Sequence, residues 1–510
     1  MPGVKKYRWL AALVLLLAFT AGCAAADEHT EPTDATHAPM QTAQPDIIRT
    51  VYEPETALIA PPSVVLKVDT QEQYQMLESD RPPQAAWFVV DETGREVVVG
   101  DIKLTLADVF FSCYGRIVPV FELNTISAAQ YLQEFSKKSR TTDFLVVSDD
   151  PDVLKEVSLS GVRKGLITQE KGAACAQQVH HAGADIAVIS TATREEAEYL
   201  QLRFISVMLC PNMDTEAACY DAVDCGANHV VVTDSEAVYK LYESVDDTQR
   251  FVRRPFIAAH GGIASLAPEN SVEGFLEAVK AGADAVECDV FLTADGHIAI
   301  HHDYTLKDST VEQADVSVKS LTRKELKCYT LNPVGAYSNS KIAFLDEFFS
   351  LMKENSVHLI IEVKSENPHC IEKICTLAEE YDMLDRINII SFHTEQVARS
   401  REVMPEVGAS LIVNVGINSP DKLIRSAYPQ TDGFNGAYSP NQNFPAEGIR
   451  AMQHRGILVN LWTVDGPEDM LDAAQKGITI LTTNTAMNRI CVDLETVQMD
   501  SKSIFKNNGE

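Results

Sequence analysis

The chain has 510 residues, of which 45% are hydrophobic and 23% are charged, so it is long enough to bury the cores of two large domains. Its formal net charge is −30, and a field of this sign repels phosphate backbones, so we expect no nucleic-acid partner. No two of its 11 cysteines have CxxC spacing, which favours buried free thiols over a disulfide framework or a zinc site.

Residues 1–22 have the pattern of a bacterial signal peptide. A basic start precedes an apolar run from Leu10 to Ala21, which is shorter than the roughly 20 residues that span a bilayer. Gly22 and Cys23 then resemble the end of a lipobox, in which the cysteine becomes the lipidated amino terminus. The pattern predicts an extracytoplasmic protein held at the cell membrane by a lipid anchor on Cys23, with ordinary secretion or a membrane anchor as the alternative.

Composition and pattern divide the rest of the chain into five segments. Residues 23–50 are rich in Ala, Thr, Pro and acidic side chains and have too few large apolar residues to fold, which is typical of a tether. The segments that follow are an α/β domain at 51–245, a linker at 246–255, a second α/β domain at 256–495 and a C-terminal tail at 496–510.

From Phe256 onward, about eight short β-rich apolar runs alternate with amphipathic helical stretches. Apolar strands separated by helices are typical of a parallel sheet, and about eight such units predict a (β/α)8 barrel of the TIM type. Asp295 and Gly296 lie between two strands in LTADGHIAI, and this pair predicts a hairpin.

The N-terminal half repeats this plan. The stretch at 104–125 lines up with 342–365, and the stretch at 204–238 follows 456–487 element by element. These matches predict a second, degenerate barrel-like α/β domain ahead of the C-terminal barrel. The pattern leaves open whether this barrel closes, and a convergent α/β pattern is the alternative to duplication.

Three acidic side chains of the C-terminal half are predicted to share one site. Strand residues alternate between faces, so Glu287 and Asp289 point the same way in AVECDVFL. Glu362 stands near the end of a later run, LIIEVKS, and barrels of this type build their sites at the carboxyl ends of the strands. Three converging carboxylates need a cation and form a hard-oxygen site for Ca²⁺ or Mg²⁺.

Two histidines and a lysine lie at the same ends of the predicted strands. His260 is followed directly by two glycines, and His302 follows the hairpin strand while His301 points to the opposite face. Histidines beside a metal supply an acid and a base near neutral pH. Lys364 shares a face with Glu362, where it can neutralise a phosphate oxygen. The sequence therefore predicts a reaction centre rather than ordinary loop chemistry.

These residues also resemble a known family. The series AHGGIASLAPENSVEGFLEAVKAGADAVECDVFLTADGHIAIHHD, LIIEVKS, IISF, NLWTVD and TTN is similar to that of the glycerophosphodiester phosphodiesterases over about residues 256–490. The resemblance implies a (β/α)8 barrel that hydrolyses a glycerophosphodiester to glycerol 3-phosphate and an alcohol. The implied roles are a catalytic pair, His260 and His302; ligands of a divalent metal, Glu287, Asp289 and Glu362; and substrate-binding residues, Lys364, Glu269, Asn270 and Trp462.

The chain departs from this family in three places, of which two are the stretch LKDST after His302-Asp303 and His393 after IISF. The family usually has His-Arg-Gly where this chain has His260-Gly261-Gly262, so a guanidinium that grips phosphate is replaced and the substrate preference is open. In the N-terminal half only Glu122, opposite Glu362, matches the expected set, which predicts a catalytically silent domain.

Two other functions stay open at this point. One is a non-catalytic lipoprotein that binds glycerophosphodiesters or envelope polymers. The other is a metal-free lyase on a similar barrel, which three lumen carboxylates disfavour. The sequence does not specify the alcohol group of the substrate, the metal or the oligomeric state.

Overall fold

The structure of the protein, a computed structural model, describes residues 51–159, 161–245, 249–414 and 437–485. The predicted signal peptide, lipidation site, tether and tail, with part of the linker, lie outside these ranges. Within them, no helix combines the length and the apolar character that crossing a membrane requires. The nine cysteines in these ranges are all free, and seven are buried, as their spacing predicts.

The N-terminal half contains a closed barrel of parallel strands, which settles the question of its closure. Eight strands close it in the order β10-β11-β2-β3-β6-β7-β8-β9. The described strands of this half are β1 (Leu58–Ile59), β2 (Ser63–Lys67), β3 (Ala85–Val89), β4 (Glu96–Val99), β5 (Ile102–Thr105), β6 (Val118–Glu122), β7 (Leu145–Ser148), β8 (Arg163–Ile167), β9 (Ile186–Ile189), β10 (Ser206–Leu209), β11 (His229–Val232) and β12 (Arg250–Phe251).

Helices cover the outside of this barrel, and most begin at a residue that caps them. Thr193, for example, accepts a hydrogen bond from the Glu196 backbone, and the Glu196 carboxylate accepts one from the Thr193 backbone. The helices of this half are Gln71–Met76, Leu106–Cys113, Ile126–Ser139, Pro151–Glu156, Gly172–His181, Arg194–Leu202, Thr215–Cys225 and Ser235–Glu243.

The C-terminal half forms the predicted (β/α)8 barrel. Its strands are β13 (Phe256–Ala259), β14 (Ala285–Leu292), β15 (Ile298–Ile300), β16 (Ala343–Phe344), β17 (His358–Val363), β18 (Ile387–Ser391), β19 (Gly408–Val413), β20 (Ala437–Pro440), β21 (Leu458–Leu461) and β22 (Ile480–Thr483). The strands β13, β14 and β17 to β22 make the barrel, which closes because β13 pairs with both β14 and β22.

The helices of the C-terminal half include two short 3₁₀ turns, Val318–Ser320 and Leu384–Arg386. The α-helices are Val272–Lys280, Arg323–Leu326, Leu345–Met352, His369–Tyr381, Thr394–Val403, Ala446–Gln453 and Pro467–Gln475.

A small antiparallel extension grows from the second strand of this barrel. β14 turns at Gly296, which has φ of +79°, and pairs antiparallel with β15, so the predicted hairpin is confirmed. β15 then pairs with β16. An apolar cluster that includes Phe291 and Phe344 forms the core of this extension. The extension carries His302 to the mouth of the barrel.

The two barrels pack against each other through the amino-terminal ends of their strands. Asp143, just before β7, accepts two hydrogen bonds from Arg455, just before β21, at 2.8 and 2.9 Å. Asn388, at the start of β18, donates to the Leu202 carbonyl, just before β10, at 2.7 Å. Because the interface occupies these ends, the carboxyl ends of both barrels, where such folds carry their sites, face away from it.

Candidate active site

The three predicted acidic residues converge in the lumen of the C-terminal barrel. Asp289 on β14 and Glu362 on β17 are direct partners in the strand register, and Glu287 lies two residues before Asp289. One carboxylate oxygen of each residue lies within 4.8 Å of the others. The three side chains are only 2%, 0% and 7% exposed for Glu287, Asp289 and Glu362, so water does little to screen their repulsion.

The electrostatics of this cluster fit a bound cation. Burial, then repulsion from Asp289 and Glu362, raises the pKa of Glu287 well above its usual range. Burial and repulsion from Asp289 raise the pKa of Glu362 to about 7. Within the described part of the chain, Glu287 Oε1 is buried and has no hydrogen-bond partner. A divalent ion would give that oxygen a partner and offset the repulsion, and an all-oxygen donor set suits a hard cation.

Lys364 supplies one positive charge against the three carboxyl groups. Its Nζ lies 2.7 Å from Glu362 Oε1 and 3.1 Å from Asp289 Oδ1. Burial by itself would lower the pKa of Lys364, but attraction to Asp289 and Glu362 raises it above its usual value. The lysine is therefore charged, and it stands beside the cluster where an anionic substrate group would also meet it.

His260 is held in one orientation by two residues that the sequence analysis did not single out. Its Nδ1 lies 2.9 Å from Asn484 Oδ1, and the Asn484 amide donates to Asp465 Oδ2 at 2.9 Å. The carboxylate fixes the amide, so the Asn484 oxygen must accept the Nδ1 proton of His260. Nε2 then faces the cluster, 4.0 Å from Glu287 Oε2. The Asp of NLWTVD and the Asn of TTN were the sequence signals for this pair.

His302 stands at the rim and is paired with an acidic side chain. Its Nδ1 lies 2.9 Å from Asp303 Oδ1, and the side chain is 47% exposed. Partial burial would lower the pKa of His302, but attraction to Asp289 and the hydrogen bond with Asp303 raise it. His302 is therefore protonated more readily than an ordinary histidine.

His301 is built into the loop instead. Its two ring nitrogens lie 2.8 Å from the Asp303 carbonyl oxygen and 2.7 Å from Ser309 Oγ, and burial lowers its pKa. The neighbouring histidines therefore differ in their hydrogen bonds, although both border one polar cavity.

The Pro-Glu-Asn segment supports the acidic cluster. Asn270 donates to Asp289 Oδ2 at 2.8 Å, and its own side-chain oxygen accepts the Asp289 backbone N–H at 3.1 Å. Burial and repulsion from Asp289 raise the pKa of Glu269. Gly261, where the resembling family has arginine, has φ of +58°, and a Cβ there would collide with Cγ of Glu269. The side chain of Glu269 therefore fills the space beside Gly261.

Two adjoining cavities surround these residues. The first, of about 30 Å³, lies inside the lumen and is lined by His260, Glu287, Glu362 and Trp462 among others. The second, of about 280 Å³, is lined by polar groups of the first loop and the extension, which include Glu269, Asn270, His302, Asp308 and Asn332. Trp462 forms an edge-to-face pair with the exposed ring of Phe392, with centroids 5.6 Å apart. The second cavity is large enough for a small polar substrate group beside His302.

The N-terminal barrel has other residues at the corresponding positions. Glu122 pairs in register with Val89, as Glu362 pairs with Asp289, and Trp87 stands two residues earlier, where β14 has Glu287. The Trp87 indole N–H donates to Glu122 Oε2 at 2.8 Å. A tryptophan therefore occupies the place of a carboxylate, and the lone acid is satisfied by a hydrogen bond.

Comparisons with known proteins find relatives of the C-terminal half of the chain. The model of the glycerophosphoryl diester phosphodiesterase family matches residues 260–487. A glycerophosphodiester phosphodiesterase of Bacillus altitudinis is 30% identical over 177 residues, which cover 33% of this chain and 71% of that protein. One of Caldanaerobacter subterraneus is 28% identical over 233 residues, which cover 44% and 92%. The crystal structure of a glycerophosphodiester phosphodiesterase from Parabacteroides distasonis covers 48% of this chain and 98% of its own, at 21% identity and a TM-score of 0.39.

The fold and the site define a hydrolase built on a (β/α)8 barrel with a three-carboxylate centre. The chain belongs to the glycerophosphodiester phosphodiesterase family, and its C-terminal barrel carries the family domain.

Proposed function

We propose that the C-terminal barrel hydrolyses glycerophosphodiesters to glycerol 3-phosphate and an alcohol, with His260 and His302 as its acid–base pair. One observation carries the proposal: both histidines and the buried acidic cluster lie at one barrel mouth, in a chain that belongs to the glycerophosphodiester phosphodiesterase family. A purely binding protein would have no need of a histidine pair held by hydrogen bonds beside a buried acidic cluster.

The hydrogen bonds of the two histidines indicate which one acts as the base and which one as the acid. Because Asn484 accepts the proton of Nδ1, the Nε2 lone pair of the neutral His260 ring faces the acidic cluster, and His260 is the base that takes a proton from the attacking water. His302, whose pKa is raised, is the acid that protonates the departing alcohol oxygen as its bond to phosphorus breaks. Water thus adds across one P–O bond, and each histidine transfers one proton.

Glu287, Asp289 and Glu362 would hold a divalent cation, Ca²⁺ or Mg²⁺, because these ions prefer carboxylate oxygens. Such a cation polarises a phosphoryl oxygen and offsets the charge of the phosphodiester. Lys364 adds a fixed positive charge next to the same group. Asn270 orients Asp289 from behind through its two hydrogen bonds.

We also propose that the protein acts outside the cytoplasm, anchored to the cell membrane by lipid on Cys23. The support is the signal-like start, the lipobox-like residues before Cys23 and the tether-like composition that follows. Expression of the full precursor and its Cys23→Ala variant, followed by membrane fractionation, tests this. The anchor predicts that only the precursor with Cys23 stays with the membrane and takes up labelled fatty acid.

The decisive test of the activity is release of glycerol 3-phosphate from glycerophosphocholine, glycerophosphoethanolamine, glycerophosphoglycerol and glycerophosphoinositol. We expect turnover of at least one of these with Mg²⁺ or Ca²⁺. The Glu122→Gln variant is the matched control for Glu362→Gln, because the two acids occupy corresponding positions in the two barrels. No release from any of these substrates with either metal would overturn the proposal.

A further inference from the structure

One side chain of the N-terminal barrel lies inside the C-terminal barrel. Phe204 follows the helix Arg194–Leu202, has φ of +62° and is fully buried. The other buried residues of the apolar cluster that contains it all belong to the other barrel: Phe256, Ala258, Ala285, Ile360, Ala437, Leu458 and Ile480. Phe204 therefore belongs to the core of a barrel other than its own.

The catalytic barrel is shaped to admit this segment. Gly408, the first residue of β19, has no Cβ, and one built there would lie 2.5 Å from the Arg203 carbonyl oxygen. Asn388 on the neighbouring strand donates to the Leu202 carbonyl at 2.7 Å. The Arg203 guanidinium lies over the Tyr199 ring and 3.7 Å from Asp385. Backbone and side chain together hold the segment at the lower end of the lumen.

At the corresponding contact with the N-terminal barrel, the C-terminal barrel has a glycine instead of a phenylalanine. Asn460 on β21 pairs with Ile480 on β22 in the same way as Met208 on β10 pairs with His229 on β11. Gly456 and Phe204 each lie four residues before the first member of these pairs, so they occupy corresponding positions. Gly456 lies against Ile186 of the N-terminal barrel, whose lumen is filled by its own residues. The catalytic lumen has three alanines at its lower end instead, and a phenyl ring from outside fills the space that they leave.

Phe204 also borders the lumen cavity of the candidate active site. The same 30 Å³ cavity is lined by Phe204 below and by His260, Glu287 and Glu362 above. The residues that pack with Phe204 stand two positions before the site residues on the same strands, as Ala285 precedes Glu287 and Ile360 precedes Glu362. Strand alternation makes these pairs successive layers on one face.

We infer that the N-terminal barrel completes the catalytic barrel, and that Phe204 is a positioning residue that forms the floor beneath the acidic cluster and His260. This rests on the proposed phosphodiesterase function and gives the silent barrel a task. Without the phenyl ring, the layer of Ala258, Ala285 and Ile360 would face a void. The strands that bear the site residues could then shift, although the substrate pocket beside His302 would stay intact.

The experiment uses the full chain with Phe204→Ala, Phe204→Leu and Ile186→Ala. Ile186→Ala is the matched control because it opens a comparable void at the same interface, on the side of the silent barrel. We expect Phe204→Ala to lower kcat at least about tenfold with KM changed less than about threefold, since small misplacements of catalytic groups are costly. Phe204→Leu should recover kcat to within about threefold of the wild type, and Ile186→Ala should keep it within about twofold.

Kinetics are measured well below the melting temperature of every variant, so that loss of folded protein does not enter. Benzene, which binds engineered apolar cavities, should partly restore kcat of Phe204→Ala and leave that of Ile186→Ala unchanged. If Phe204→Ala fails to fold, Phe204→Cys, which is small and not branched at Cβ, replaces it under the same criteria. The inference would be overturned if the Phe204 variant that opens the void kept the kcat of the wild type. It would also be overturned if that variant and Ile186→Ala lost kcat equally. An inactive wild type would instead refute the phosphodiesterase proposal, so the two failures are distinguishable.

Discussion

Asn484 accepts the Nδ1 proton of His260 at 2.9 Å, while its own amide group is held by Asp465. This chain of two hydrogen bonds fixes which nitrogen of His260 faces the acidic cluster. The two partners come from the loops after β21 and β22, far along the chain from His260. The orientation of the base therefore depends on the last two strands of the barrel.

The first prediction concerns this arrangement. Asn484→Ala should lower kcat by about tenfold to 100-fold, because the imidazole loses the partner that sets its tautomer. Asp465→Asn should have a smaller effect in the same direction, since Asn484 itself remains. The measurement is kcat together with the melting temperature. A loss of stability with unchanged kcat would show that Asn484 only supports the loop.

The second prediction separates three histidines. His260→Ala and His302→Ala should each lower kcat at least about 100-fold, the usual contribution of a general acid or base. His301→Ala should act mainly on stability, because His301 is buried and bonded to Asp303 and Ser309. Steady-state kinetics and thermal unfolding of all three variants provide the check. A greater loss of kcat at position 301 would mean that the roles of the neighbouring histidines are reversed.

The third prediction concerns the divalent cation. A chelator should abolish turnover, and added Mg²⁺ or Ca²⁺ should restore it, because the three carboxyl groups otherwise repel one another. Glu287→Gln should abolish turnover at any metal concentration, whereas Glu122→Gln should leave it unchanged. Calorimetric titration of the metal should show binding to Glu122→Gln and none to Glu287→Gln. Full activity in excess chelator would exclude the metal role of the cluster.

The sequence predicts the site better than it predicts the contacts around it. Glu287, Asp289 and the hairpin at Gly296 follow from local rules, namely strand alternation and turn chemistry. The Asn484 contact with His260 joins residues 224 positions apart, and the entry of Phe204 into the second barrel joins residues of two different domains. Hydrophobic pattern carries no information about such pairs, since it specifies faces and not partners.

Closure of the N-terminal barrel illustrates the same limit. Its strands are only four or five residues long, and the repeat indicates their number but not the pairing of the first strand with the last. The pairing of β2 with β11 from Ser63 to Leu66 completes it. Trp87, which occupies the place of Glu287, is recognisable only once the strand register is known.

The fourth prediction concerns acid stability. Burial lowers the pKa of His180 to about 4, and burial with repulsion from His454 lowers that of His229 to about 3. The unfolded chain takes up protons on these residues near pH 6.5, while the folded protein does not. The stabilisation of the folded protein by these two neutral histidines is therefore present above about pH 6.5. It is lost as the pH falls towards 4, by up to about 1.4 kcal/mol of unfolding free energy per histidine and pH unit.

Urea unfolding at pH 7, 6 and 5 measures this dependence. His229→Gln should show a smaller loss of unfolding free energy between pH 7 and pH 5 than the wild type, because one proton fewer is taken up on unfolding. An identical pH dependence in the two proteins would mean that His229 takes up its proton at the same pH in the folded and unfolded states.

The last prediction concerns the ion pair between Asp143 and Arg455. Both side chains are buried, and two hydrogen bonds at 2.8 and 2.9 Å join them across the barrel interface. Asp143→Asn leaves the guanidinium buried without its counter-charge, which should cost about 3–5 kcal/mol of unfolding free energy. Glu134→Gln, which removes the partner of Lys138 in an exposed pair, is the control and should cost less than about 1 kcal/mol.

Because the barrels share the core around Phe204, the wild type should unfold in one transition that fluorescence and circular dichroism report at the same urea concentration. Two separate transitions in the wild type, or equal effects of Asp143→Asn and Glu134→Gln, would show that the interface contributes little to the stability of either barrel.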